Sequence, residues 1–342
     1  MKRFRVIFIL IVFMVISVLN NYYAGYFSSL YRFYFIKQII WFLVSFGFIY
    51  LFKFFNVDYI IDNSVFLYVL GVFLLVITYL FGCDVNGARS WLKLGFISIQ
   101  SSEFMRSFLM LFLYYFSKKY NYLSDFKFLL YSFIIVLIPS ILTFIEPDTG
   151  GVILYLLVWL FYCFNHKINK FYYIGGFSFL FIFMGLFLFL YFNKQELFIN
   201  LFGSSFFYRM DRLVNLGDGY QISNALKSIS NSGLFGISNY IYFPEAPTDF
   251  AFTLLIANFG YIGLIILLFC YFYLFNSLLK FTYDSLCRCL VFVIFIQFVI
   301  NVFMNLSLFP IIGITLPFIS YGGSSILSYM LIIAFILNKN KA

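Results

Sequence analysis

Charge is the scarcest property of this chain: of its 342 residues only 10% are Asp, Glu, Lys or Arg, against 64% hydrophobic, and mean hydropathy is +0.99. Soluble globular domains carry about 25% charged residues, so water is excluded as the main solvent of this surface. Linkers are also missing. No polar, Pro/Gly-rich or low-complexity stretch divides the chain, so residues 1–342 read as one membrane domain with no attached soluble module. The five cysteines (Cys83, Cys163, Cys270, Cys287, Cys289) include no CxxC pair, and most fall within or beside apolar runs. That argues against a disulfide scaffold and a zinc site. At the N-terminus Lys2, Arg3 and Arg5 precede an apolar run as in a signal peptide, but Asn20-Asn21-Tyr22-Tyr23 offers no small-residue cleavage site, so an uncleaved first helix is expected.

What the chain has in abundance is spanning length. Apolar segments run from about Phe4 to Leu19, Gln38 to Phe55, Val65 to Phe81, Ser102 to Phe116, Phe128 to Phe144, Gly151 to Phe164, Phe171 to Phe192, Phe252 to Phe275, Leu290 to Leu308 and Tyr321 to Leu337. The expectation is an all-α polytopic membrane protein of about ten transmembrane helices. Glu146-Pro147-Asp148-Thr149-Gly150-Gly151 breaks the helical pattern between the fifth and sixth runs and predicts a tight hairpin. The 54 Phe and 29 Tyr fit the codon bias of an AT-rich genome, together with lipid-facing and packing roles, and carry no functional weight here.

The net charge of +9 does not mark a nucleic-acid surface, because the basic residues are scattered at segment ends and line no single face. It reads as topology. With the N-terminus inside, about 13 Lys and Arg fall on the inner side and about 8 outside, which predicts both termini in the cytoplasm. Four of those outer eight (Lys194, Arg209, Arg212, Lys227) lie in one long outer segment, about 193–250, the chain's only extended hydrophilic region. A connection of that length is usually functional or disordered, and its glycine-punctuated, partly apolar sequence favours ordered function.

Ionisable groups in or beside the membrane are costly and therefore candidates for function. Asp58, Asp62, Asp125 and Asp284 fall in inner loops, where solvation accounts for them. Glu103 and Arg106, three apart at the start of the fourth span, share a helix face, and structural pairing is favoured over direct catalysis. Asp148 can cap the sixth helix or line a cavity. In Pro244-Glu245-Ala246-Pro247-Thr248-Asp249-Phe250, Pro247 delays helix onset, so Thr248 or Asp249 could be an N-cap. The functional alternative is a carboxylate at the lip of an outer cavity, near Arg209 and Arg212, that acts as a general base beside a phosphorylated substrate.

Several blocks carry a family resemblance. Gly87-Ala88-Arg89-Ser90-Trp91-Leu92-Lys93-Leu94-Gly95, then Gln100-Ser101-Ser102-Glu103, Pro147-Asp148-Thr149-Gly150, Gly219-Tyr220-Gln221, Pro244-Glu245 with Thr248-Asp249-Phe250, and Leu316-Pro317-Phe318-Ile319-Ser320-Tyr321-Gly322-Gly323-Ser324-Ser325 together resemble the SEDS family (shape, elongation, division and sporulation), which includes RodA and FtsW. They run in the family's order over nearly the whole chain, and the last block is the most specific. The chain departs from the family pattern at Ser101, Arg106, Pro247 and Ala257-Asn258, and by a shorter segment between Arg212 and Gly219.

The resemblance implies a peptidoglycan glycosyltransferase of the bacterial cytoplasmic membrane that polymerises lipid II on the outer face, with a class B penicillin-binding protein as transpeptidase partner beside other elongation or division proteins. It implies Asp249 as the essential carboxylate, a general base or the ligand of a divalent metal (Mg2+ or Mn2+). Substrate binding is expected at Arg89, Lys93, Arg209, Arg212, Tyr220, Gln221, Glu245, Thr248, Ser320, Gly322, Gly323 and Ser324. Met304-Asn305 with Gly313-Ile314-Thr315-Leu316-Pro317-Phe318-Ile319 favours a RodA-like elongation role over an FtsW-like septal one, although Thr315 is FtsW-like. A lipid flippase or transporter and a non-catalytic scaffold are the rival readings. Against the transporter, no pair of interrupted spans repeats between the two halves.

Overall fold

The computed structural model describes residues 2–85, 88–95, 97–166, 168–204, 206–207, 219–236, 241–281 and 284–339. Its helices are α1 (Lys2–Ala24), α2 (Tyr34–Leu51), α3 (Val57–Asp62), α4 (Ser64–Phe81), α5 (Ser101–Lys119), α6 (Asp125–Ile145), α7 (Thr149–Asn165), α8 (Lys170–Asn193), α9 (Gln195–Phe202), α10 (Tyr220–Ser230), α11 (Ala251–Leu279), α12 (Ser285–Asn305) and α13 (Gly323–Lys339). Each of the ten apolar segments coincides with a helix, and among the described residues seven helices are long and apolar enough to cross a membrane. The chain is a multi-pass, predominantly helical membrane protein. The shorter α7 and α13 are also apolar, and α5 carries the buried Glu103 and Arg106.

One element departs from an all-helical reading. Strands β1 (Cys83–Val85), β2 (Ala88–Leu94) and β3 (Ile97–Gln100) form an antiparallel sheet of order β1-β2-β3, with Trp91 opposite Gln100 and Leu94 opposite Ile97. It sits between α4 and α5, at the end of the bundle that carries the candidate site.

A helix in lipid must satisfy its own backbone groups, and two places show how this chain copes when it does not. Pro139, inside α6, has no amide to give to the carbonyl of Ile135 four residues earlier. The Tyr68 hydroxyl of α4 donates to that carbonyl instead, at 2.8 Å. In α11 the backbone leaves the helix at Gly260 (φ 63°, ψ −162°). The turn at 233–236 lies against the break: Gly233 and Leu234 accept from the amides of Tyr261 and Ile262 at 3.1 and 3.2 Å. A Cβ at Gly260 would sit 2.3 Å from the Leu234 carbonyl oxygen, so glycine is required there for space as well as for φ. The eighth apolar run is therefore two helical pieces, an interruption that its apolar pattern alone does not announce. The proline's carbonyl and the glycine's amides each find a partner from another segment.

Both chain ends lie at one end of the bundle. Arg3 donates to the Leu337 carbonyl at 2.7 Å, and Lys339 reaches Asp284 at 3.0 Å and Asp58 at 3.9 Å. Asp284 is thus not merely solvated, as its loop position suggested. Burial pushes its carboxyl up, but hydrogen bonds from Tyr114 and Lys339 outweigh this and hold it below the usual carboxylate range. The opposite end gathers Ala24 of α1, Ile222 and Ala225 of α10, and Phe243, Ala246, Phe250 and Leu254 into a separate apolar cluster.

Tyr68→Phe is expected to lower the melting temperature in detergent, at a cost of about 1–3 kcal/mol for the orphaned Ile135 carbonyl. In Pro139→Ala, which restores the amide, the same Tyr68→Phe change should cost far less. A double-mutant cycle on melting temperature measures the coupling.

Candidate functional site

Asp249 lies in the turn that leads into α11. The amides of Thr248 and Phe250 both donate to the Glu245 carbonyl, at 3.2 and 3.1 Å, and Glu245 adopts φ 54° to allow it. The Thr248 hydroxyl donates to a Glu245 carboxylate oxygen at 2.5 Å. Helix α11 starts only at Ala251, with no side-chain cap. The expected N-cap at Thr248 or Asp249 is therefore absent, because Thr248 is engaged with Glu245 and the turn closes through backbone groups. The consequence is chemical: the Asp249 carboxyl takes no hydrogen bond from any described residue.

The main chain of this turn is held from two sides. The Asp249 carbonyl accepts from the side-chain Nδ2 groups of Asn301 and Asn305 of α12, at 2.9 and 3.0 Å, while Asn305 Oδ1 accepts from the Thr253 backbone amide at 3.1 Å. On the other side the Ser320 hydroxyl donates to the Thr248 carbonyl at 2.5 Å and accepts from the Leu316 amide at 2.8 Å, and the Tyr321 amide donates to Pro247 at 2.8 Å. The Tyr321 ring stacks on Tyr34 at 3.8 Å. Beneath, Gln38 of α2 donates to the Ser320 carbonyl at 3.0 Å and to the Ser17 hydroxyl at 2.8 Å.

Asp148 completes the other side of a narrow polar crevice. Its Oδ1 accepts from the Gly151 amide at 2.8 Å and so caps α7, while Oδ2 accepts from the Ser102 hydroxyl at 2.6 Å and from Gln100 Nε2 at 3.0 Å. The two readings of this residue are both realised in one carboxylate. The crevice runs past Ser102, Tyr155, Gln297 and Gly313, with Glu103 and Arg106 at its floor, and encloses about 10 Å3, roughly the room of one water. A Cβ at Gly313 would be 3.9 Å from Asp249 Oδ2, which places Asp249 at the crevice edge. Glu103 and Arg106 form the expected ion pair, and the Glu103 carbonyl accepts from the Ser328 hydroxyl at 3.0 Å.

Acid crowds this end of the molecule. Burial, reinforced by the neighbouring charges of Glu245 and Asp148, pushes the Asp249 carboxyl up to about 7. Glu146 is wholly buried and, among the described residues, neither carboxyl oxygen has a partner; burial plus the Asp148 charge pushes it up to about 8. Of the expected cations, Arg209 and Arg212 lie outside the described residues. Arg89 and Lys93 are exposed on one face of β2, Lys227 is exposed on α10, and no described cation forms an ion pair with Asp249.

The remaining predicted positions divide by exposure. Tyr220 is exposed and Gln221 half-buried on α10. Ser320, Gly322, Gly323 and Ser324 are all buried and contact the chain itself: Ser324 accepts from the Gln100 amide at 2.9 Å, and a Cβ at Gly323 would strike the Trp41 ring. Their surroundings are those of residues that position the Asp249 turn and the strand end. Glu146, Gln297, Asn301 and Asn305 were not assigned to the site from sequence, although Glu146 was read in the hairpin and Asn305 in the Met304-Asn305 pair. Gln297, Asn301 and Asn305 recur every four residues on one face of an apolar helix, a legible signal of a buried polar stripe.

Among the described residues no group of three or more His, Cys, Asp or Glu side chains is arranged to hold a metal ion. Mg2+, however, commonly takes one or two carboxylates together with substrate phosphates. The free oxygens of Asp249, with Glu245 nearby, fit that smaller donor set.

A family model described as cell cycle protein, covering FtsW, RodA and SpoVE, matches residues 2–342. A probable peptidoglycan glycosyltransferase FtsW of Wigglesworthia glossinidia brevipalpis is 30% identical over 342 residues, covering 90% of this chain and 84% of that one. Stage V sporulation protein E of Bacillus subtilis is 32% identical over 343 residues, covering 90% and 87%. Among solved structures, a chain of a peptidoglycan synthase complex superposes with TM-score 0.78 at 19% identity, covering 98% of this chain and 97% of that one. The rod shape determining protein RodA of Thermus thermophilus superposes with TM-score 0.67 at 19% identity, covering 98% and 96%. At that identity the two structures speak for the fold.

Glu146 generates a pH prediction. Its folded value of about 8 lies above the ordinary 4.5, so the fold holds a proton that the unfolded chain releases. Its contribution to stability is greatest at low pH and falls as pH rises from about 4.5 to about 8. Glu146→Gln, neutral and nearly isosteric, is expected to change the melting temperature little at pH 5 and to raise it relative to wild type at pH 9.

Proposed function

Because this chain belongs to the FtsW, RodA and SpoVE family of cell cycle proteins, we propose that it is a peptidoglycan glycosyltransferase that polymerises lipid II at the outer face of the bacterial cytoplasmic membrane. The observation that carries the reading is Asp249: a carboxyl with no hydrogen bond from any described residue, at the edge of a crevice, on a turn whose main chain is clamped by Asn301, Asn305, Ser320 and Tyr321. A relative of 30% identity bears the glycosyltransferase name over most of its length.

In this reading the 4-hydroxyl of an incoming lipid II sugar attacks C1 of the growing glycan. The new C1–O bond forms as the bond from C1 to undecaprenyl pyrophosphate breaks, and the hydroxyl proton passes to the Asp249 carboxylate. A neutral alcohol is a poor nucleophile, so a base fixed by its backbone and free at its side chain lowers the barrier where proton transfer occurs. Glu245, bonded to Thr248, lies four residues before Asp249 and keeps the turn closed. Arg89 and Lys93 of β2, Lys227 of α10, and Arg209 and Arg212 are the cations we assign to the pyrophosphate. In the alternative role Asp249 would instead hold a divalent ion, with Glu245 beside it, and that ion would neutralise leaving-group charge.

The crevice lies at the end of the bundle opposite both chain termini, which suits cytoplasmic termini and an outward-facing site. A membrane-embedded scaffold also suits two lipid-tethered substrates, because each sugar can reach the crevice while its tail stays in the bilayer. A class B penicillin-binding protein is the transpeptidase partner we propose, and the complex named for the structural neighbour is a peptidoglycan synthase. The elongation role rests on Met304-Asn305 and residues 313–319, and predicts side-wall localisation of a tagged chain.

Asp249→Asn is expected to abolish glycan polymerisation from lipid II by the purified protein with its partner while leaving membrane insertion and melting temperature intact. Undiminished polymer from that variant would overturn the catalytic assignment. Lipid II transfer across liposomes without polymer would favour the flippase reading.

A further inference from the structure

A second cavity lies away from the crevice, at the end of the bundle that carries both chain termini. It measures about 450 Å3, within the ~300–1,000 Å3 range of small-molecule and cofactor sites. It opens between the start of α4, the end of α5 and the first half of α6. Val65, Phe112, Phe116 and Ile135 make its apolar wall. At its rim stand Lys119, Tyr115, Tyr120 and Tyr122.

The rim has a defined chemistry. Lys119 Nζ donates to the Tyr115 hydroxyl at 2.6 Å and lies 5.1 and 5.8 Å from the Tyr115 and Tyr120 ring centres. Among the described residues Lys119 has no carboxylate partner. The nearest acid in the α5–α6 connection, Asp125, is turned away and accepts from the Asn169 amide at 2.8 Å. The adjacent Lys118 lies 4.6 Å over the Tyr114 ring, on the side of the Asp284 cluster. An uncompensated ammonium ringed by phenols therefore stands above an apolar slot, at a span end where the membrane surface must lie.

We propose that this cavity binds an anionic phospholipid, with the phosphate at Lys119 and the surrounding tyrosine hydroxyls and one acyl chain along Val65, Phe112, Phe116 and Ile135. Each part of the lipid meets the surface it needs. The cation attracts net negative charge, the phenols donate to phosphate oxygens, and the wall excludes water from the chain. Basic pockets between helices at a membrane surface bind such headgroups for this reason. The site is independent of glycan chemistry, since no residue of the crevice contributes to it.

The test is native mass spectrometry of the full-length protein in detergent, titrated with phosphatidylglycerol, phosphatidylcholine or inorganic phosphate. Phosphatidylglycerol should bind several-fold more strongly than phosphatidylcholine, and excess inorganic phosphate should not displace it. Lys119→Gln should weaken phosphatidylglycerol binding by about fivefold, the scale of one lysine near a charged membrane surface. Lys119→Arg should restore it, and Lys118→Gln should leave it unchanged. Equal binding of the two lipids, displacement by inorganic phosphate, or an unaffected Lys119→Gln would each overturn the proposal. Should Lys119→Gln fail to fold, the comparison of the two lipids on wild-type protein decides alone.

Discussion

The structure depends on one constraint: a backbone polar group in a membrane must find its partner within the protein. The carbonyl freed by Pro139 finds Tyr68, and the amides freed at Gly260 find the carbonyls of Gly233 and Leu234. The same rule shapes the site. The turn at 244–250 is not helical, so its carbonyls need donors, and Asn301, Asn305, Ser320 and Tyr321 supply them. Those donors come from α12 and from the segment before α13, so the turn is fixed by chain that lies far away in sequence. Satisfying the backbone and positioning the carboxyl are one operation here.

Charge is handled differently at the two ends of the bundle. Near the termini Asp284 is matched by Lys339 and Tyr114, and its acidity increases accordingly. In the crevice Glu103 is matched by Arg106, while the charges of Asp148 and Glu245 add to burial in raising Asp249, and the charge of Asp148 adds to burial in raising Glu146. Desolvation is costly at both ends.

Much of this was legible in the sequence, because each span announces itself by length and apolarity, and the hairpin at Glu146–Gly151 by its proline and glycines. Glu103 and Arg106 could be paired from their spacing, and Asp148 was seen as both cap and cavity group. Asp249 was singled out, yet its freedom from a capping role was not, since that depends on Thr248 turning to Glu245. The sheet escaped because Arg89 and Lys93 make β2 look like an exposed connection. The break at Gly260 escaped because its cause lies in the turn at 233–236, some two dozen residues upstream. The stripe Gln297, Asn301, Asn305 was available to periodicity and went unread, since polar residues in an apolar run look like tolerated exceptions until their partners are known.

The block Leu316–Ser325 shows why sequence specificity and substrate contact are separate matters. It is the most distinctive stretch of the chain, yet Ser320, Gly322, Gly323 and Ser324 are buried. Ser320 binds the carbonyl of Thr248, next to Asp249, and Ser324 binds the amide of Gln100, whose side chain reaches Asp148. One short segment thus touches the supports of both crevice carboxyls. A substitution there would move the two acids relative to each other without altering either, and the transfer we propose, which holds an alcohol and a departing pyrophosphate in line, would be sensitive to that spacing. The demand on this segment is geometric, and close packing against Trp41, Gln100 and the Asp249 turn is what enforces it.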